Sequence, residues 1–157
     1  MTKFLLSVHV LAAIIAIGPV TVAASMFPAF TRRVAAASAD GHPLAVLRTL
    51  HRICRVYAAV GIVVPVFGFA TAISLGVLGD TWLIISIGLT AAAAGVLALM
   101  VLPDQGKILA GLTATSPPAA PARPVITQLA MYTGTFNMLW ATVTVLMIIR
   151  PGSTTGA

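Results

Sequence analysis

Apolar residues run almost unbroken through four stretches of the chain, 4–31, 56–79, 81–103 and 124–149, and polar residues collect between them. Each stretch reaches the roughly 20 residues needed to cross a hydrocarbon core about 30 Å thick. The pattern predicts an all-α fold, a four-helix transmembrane bundle with spans at about 4–28, 56–78, 82–102 and 125–149. These make one transmembrane domain over 1–150, followed by a flexible tail over 151–157.

The two longer connections differ in character. In the first, Leu44, Leu47, Leu50 and Cys54 recur at spacings of three and four, while Arg48, Arg52 and Arg55 occupy another face. Asp40 or Gly41 can cap this segment, His42 belongs to the loop, and Pro43 suits a first helical turn. The result is a short amphipathic helix that either lies separately at the headgroups or extends the second span. The second connection is expected to break at Pro103-Asp104-Gln105-Gly106 and to carry a short apolar segment around Ile108, Leu109 and Leu112. It then passes into an extended linker over 115–124, which holds four prolines.

Composition removes several classes of function. Hydrophobic residues make up 59% of the 157 and charged residues only 8%, against about 25% charged in soluble domains. Glu is absent, and Asp40, Asp80 and Asp104 fall outside the spans, which excludes carboxylate proton relays and carboxylate metal sites there. A lone cysteine, Cys54, excludes an intramolecular disulfide and a Cys-based zinc site. The formal charge of +6 comes from residues flanking apolar spans, so it points to a lipid bilayer containing anionic phospholipid, not to nucleic acid. Seven of the nine basic residues lie in the two longer connections, with Lys3 and Arg150 at the ends of the chain. By the positive-inside rule those connections are cytoplasmic and both termini lie outside. Lys3 and Val22-Ala23-Ala24 also suit a signal peptide. The apolar run, however, continues through Met26, Phe27, Pro28 and Phe30, past a signal core of about 7–15 residues, and is read as a span.

Polar residues within the spans are the candidate functional sites. Pro19 and Pro65 are expected to interrupt the first two helices near their centres, with Asn137 at similar depth. Thr133, Asn137, Trp140 and Thr144 form a helical stripe, and Gln128, Tyr132 and Thr135 form a neighbouring strip. This polar face is expected to turn inward, either as hydrogen bonds between helices worth about 0.6–2 kcal/mol each or as a midplane solute cavity at broken helices. Gly61, Pro65, Gly68 and Ala72 offer one small-residue packing face, and Gly88, Ala92 and Gly95 another. His9 is a candidate ligand for haem b or partner for a quinone oxygen. His51 lies toward the opposite side, roughly 20 Å away by helix rise, so the two cannot share one haem. Met147 is the candidate second ligand beside His9.

The opening Lys3-Phe4-Leu5-Leu6-Ser7-Val8-His9-Val10-Leu11-Ala12-Ala13, with Gly18 and then Leu50-His51-Arg52, resembles a family of predicted bacterial integral membrane proteins of unknown function. That resemblance implies four helices in a bacterial plasma membrane and supplies no activity. A first-helix histidine followed by glycine is also similar to the small membrane protoporphyrinogen oxidases, a four-helix haem-linked family. That family pairs its histidine with an intramembrane lysine, and none of the four stretches here contains one.

The leading expectation is a non-enzymatic membrane protein acting by association, as a homo-oligomer or an accessory subunit of a membrane complex, without a cofactor and with Arg48, Arg52 and Arg55 on anionic lipid. The alternatives are a haem- or quinone-linked redox protein and a small-solute transporter with a midplane polar cavity.

Overall fold

The structure, a computed structural model, describes residues 2–36, 42–114 and 121–152. The expected cap at Asp40 or Gly41, the linker residues 115–120 and the tail residues 153–157 lie outside the described residues. All regular structure among the described residues is helical: α1 (Thr2–Ala36), α2 (His42–Val60), α3 (Val63–Leu75), α4 (Thr81–Val96), a π segment (Leu97–Val101), α5 (Leu102–Ala114) and α6 (Arg123–Ile149). These elements form four rods long and apolar enough to cross a membrane: Lys3–Val34, Leu44–Leu75, Thr81–Ala114 and Arg123–Ile149.

The second and third rods run well past the apolar stretches, and each of these two extensions has a local cause. The Leu44–Cys54 pattern continues directly into the second rod, burying Leu47, Leu50 and Cys54 and leaving Arg48, Arg52 and Arg55 exposed. Packing of that apolar stripe against α1 settles the alternatives in favour of an extension of the second span. In the third rod the helix does not break at Pro103. A π turn precedes the proline, and the Leu102 N–H reaches five residues back to the Leu97 carbonyl. The widened turn lets the chain accept a residue without an N–H and continue as α5. Gln105, expected in a loop, is thereby carried into the core.

The two central prolines behave differently. α1 runs through Pro19 and Pro28 without interruption. Pro65 does coincide with a break, because the Gly61 carbonyl loses its donor four residues on. That carbonyl accepts instead from Val64 N–H at 3.1 Å, and the chain turns at Gly61 and Ile62 between α2 and α3. At the far end, Gly76 takes a left-handed φ of 69° to end α3, a conformation that glycine adopts without steric cost.

The main apolar core lies toward the arginine-rich end, where Val20, Ala24, Phe27, Leu47, Val101 and Phe136 pack together. There α1 packs on α2 and α6, and α2 closes on α5. A smaller cluster of Ala72, Trp82 and Leu83, with Val77 and Met147, sits at the other end. Between these clusters the bundle opens along one side, and the opening defines the candidate site.

Candidate binding groove

A half-open groove of about 1570 Å³ runs between α3 and α4, with α1 and α6 forming the rest of its wall. It exceeds the roughly 300–1,000 Å³ of ordinary ligand pockets, as expected for a cleft with one side unclosed. Its lining is largely aliphatic, and His9, Asn137, Trp82, Trp140, Met147 and Arg150 are among its polar, aromatic and sulfur-bearing positions.

His9 is the most constrained of these residues, being only 8% exposed. Its Nδ1 donates to the Val64 carbonyl at 2.9 Å, since a carbonyl oxygen only accepts. That bond fixes the tautomer and leaves Nε2 as a lone-pair nitrogen, with no partner among the described residues. Gly68 makes the placement possible: a Cβ there would stand 3.0 Å from His9 Cε1 and 3.3 Å from Nδ1. Thus Val64, held beside the Pro65 break, and Gly68, one turn on, form the seat of the imidazole.

α6 contributes the polar stripe, and its members differ in how they are satisfied. Asn137 Nδ2 donates to Ser25 Oγ on α1 at 3.0 Å. Its Oδ1, together with Thr133 Oγ1 and Trp140 Nε1, is buried without a partner. Elsewhere the hydroxyls of Thr31, Thr71, Ser86 and Thr144 donate to the carbonyl four residues back, the usual remedy in a helix without water. Thr133, Asn137 and Trp140 therefore form a contiguous strip of unsatisfied polarity, one edge of which lines the groove. In the neighbouring strip Gln128 and Thr135 are exposed, while Tyr132 is half-buried against the main core. Gln128 Nε2 donates to the Tyr132 hydroxyl and Thr135 Oγ1 to the Met131 carbonyl, so these residues satisfy one another or their own helix.

The remaining candidates are divided among different places. Pro65 lines the groove and Pro19 does not. Asn137 is bonded to Ser25, six residues or roughly 9 Å of helix rise beyond Pro19, so it shares no level with that proline. Met147 lines the same groove as His9 and packs on the Ala72, Trp82 and Leu83 cluster. Arg150 closes the same end in a left-handed conformation, φ 45°, its guanidinium 5.8 Å from the Trp82 ring centre. Trp82 in turn donates through Nε1 to Asp80 Oδ2 at 2.9 Å.

His51 belongs to a separate site. Its Nδ1 is 3.0 Å from Gln105 Oε1, thirteen residues or roughly 20 Å of helix rise from Val64 and the His9 seat. Lys107, on the continued third rod, is 77% exposed and bonded to Asp104 at 3.1 Å, at the end of the bundle away from His9. Among the described residues no cluster of three or more His, Cys, Asp or Glu could hold a metal ion. Compared with family models, with curated proteins and with solved structures, the chain matches none.

Proposed function

We propose that this is a multi-pass membrane protein that binds a long apolar molecule with a quinone or quinol head in the groove between α3 and α4. The observation that carries the reading is His9: an imidazole seated on Gly68, tied through Nδ1 to Val64, with its Nε2 lone pair left free in an apolar cleft. A hydroxyl donor such as a quinol O–H complements that nitrogen. Lipid chains alone would fill the volume and leave that nitrogen without a donor, at roughly 1–3 kcal/mol. The strip at Asn137 is a separate part of the groove: its partner Ser25 is sixteen residues, or roughly 24 Å of helix rise, from His9, beyond the reach of the same head. The unclosed side of the groove gives entry from the bilayer. No redox step is needed for binding, and the protein acts in this reading as a carrier or accessory subunit.

Haem b is the competing occupant of the same groove. A histidine that gives one ring N–H to a backbone carbonyl and leaves the other nitrogen free has the arrangement of an axial ligand, and Met147 lines the same cleft. The absorption spectrum and organic extract of protein purified from its native membrane separate the two. The quinone reading expects no Soret band and a stoichiometric extracted quinone. A Soret band lost on His9→Ala would replace it with haem.

Self-association is the reading favoured by α4. Gly88 and Ala92 are exposed and a Cβ at Gly88 would meet nothing within 4 Å, so this face is open for close approach by a second helix. The location we propose is a bacterial plasma membrane. Charge supports cytoplasmic placement of the arginine-rich end and external placement of both termini.

A further inference from the structure

A second, smaller pocket of about 450 Å³ lies at the arginine-rich end, lined by Arg48, His51, Arg52 and Arg55 of α2 and by Leu109 of α5. The four polar residues are spaced three, one and three apart, which brings them onto one side of the helix. Among the described residues the only ion pair is Lys107 with Asp104, so none of the three guanidinium groups has a carboxylate partner. Three like charges gathered on adjoining turns of one helix repel one another, and a bound anion relieves that repulsion.

One lining residue, His51, is oriented from behind the pocket by Gln105. Gln105 is completely buried, with its Nε2 3.7 Å from Cys54 Sγ and its Oε1 toward His51. In that orientation Oε1 accepts, so His51 Nδ1 is the donor. The ring is held inward by this bond and Nε2 is the nitrogen left for a ligand.

We propose that this pocket binds a phosphate monoester, with Arg48, Arg52 and Arg55 on its oxygens, His51 Nε2 on its remaining proton and Gln105 as the positioning residue. Guanidinium groups match phosphate oxygens through paired N–H donors. The histidine adds selectivity. A monoester retains a proton for part of its population near neutral pH, its second pKa being about 6, and can donate it to a lone-pair nitrogen. A phosphodiester has no such proton. The monoester has two possible sources, a lipid headgroup or a soluble phosphate compound. This site is independent of the groove reading, because it shares no residue with it.

The test uses the full chain in nanodiscs of neutral phosphatidylcholine. One arm adds phosphatidic acid, a monoester lipid, and a matched arm adds phosphatidylglycerol, a diester. A third titrates inorganic phosphate. Binding is read by native mass spectrometry for the lipids and calorimetry for the ion. Expected is a preference for phosphatidic acid over phosphatidylglycerol of about tenfold, the scale of one charge-assisted hydrogen bond. Arg52→Gln and Arg55→Gln, both at exposed positions, should each weaken monoester binding about tenfold. Gln105→Met should keep overall anion binding and abolish the monoester preference, as should His51→Phe. Tight binding of inorganic phosphate alone would assign the source to a soluble compound. Equal binding of monoester and diester lipids, unchanged by His51→Phe and Gln105→Met and accompanied by no binding of inorganic phosphate, would overturn the proposal in favour of plain charge attraction.

Discussion

Replacing Gly68 by alanine tests the seat of His9 through a double-mutant cycle. The added Cβ would stand 3.0 Å from Cε1 and 3.3 Å from Nδ1 of the imidazole, where carbon contacts normally rest at about 3.5–4.0 Å. The ring must therefore withdraw by about half an ångström. Overpacking of this kind costs about 1–3 kcal/mol. If the ring leaves its bond to the Val64 carbonyl, a further 0.6–1.7 kcal/mol or so is lost. Against this, alanine is favoured over glycine in a helix by up to about 1 kcal/mol. The expected net loss for Gly68→Ala is about 1–2 kcal/mol. In a His9→Ala background the obstacle is gone, and the same substitution should be neutral or stabilise by up to about 1 kcal/mol. The coupling energy is then about 2 kcal/mol, well above the error of additivity. Reversible unfolding of the purified protein in mixed micelles, followed by circular dichroism against added dodecyl sulfate, measures all four variants. An equal cost of Gly68→Ala in both backgrounds would refute the packing of imidazole on glycine.

Other substitutions probe the unsatisfied strip, the helix break and the orientation. Thr133→Val should stabilise the protein by about 1 kcal/mol, because it removes a buried hydroxyl with no partner. Thr31→Val, which removes a hydroxyl already bonded to the Phe27 carbonyl, should show no such gain in the same unfolding assay. Pro65→Ala restores an N–H beside the Gly61 carbonyl. Hydrogen exchange should then find the 61–65 amides more protected and the His9 imidazole proton less so; unchanged exchange would dissociate the break from the proline. In a Cys54→Ser background, Gly79→Cys and Gly152→Cys should label with a membrane-impermeant thiol reagent in intact cells while Thr113→Cys should not, and the opposite pattern would invert the proposed topology.

Hydropathy made the four rods legible because they are long, nearly uninterrupted apolar segments, a pattern that does not depend on tertiary packing. The amphipathic spacing of Leu47, Leu50 and Cys54 against Arg48, Arg52 and Arg55 was equally readable, since it depends only on helix periodicity. The continuation through Pro103 was not, because a π turn is a local adjustment with no composition of its own. Gln105 was hidden for that reason, although it lies three residues before Ile108 and seven before Leu112, a spacing that marks the buried face all three share. His9 stood out as an imidazole within an apolar stretch, but its seat depends on Val64 and Gly68, over fifty residues away. That long-range pairing follows from how the broken second rod lies on α1. The open α4 face shows the converse: small residues permit close packing without ensuring that a partner exists in the same chain.

The central claim, that the groove holds a quinone-class head at His9, is tested most directly by intrinsic fluorescence. The chain has two tryptophans, Trp82 and Trp140, and both line the groove. Short-chain ubiquinol, kept reduced and titrated into protein in nanodiscs, should change their emission saturably, with His9→Ala shifting the midpoint about tenfold, the worth of one hydrogen bond of about 1.4 kcal/mol. A change that rises linearly with quinol in the membrane, and equally so without the imidazole, would contradict it.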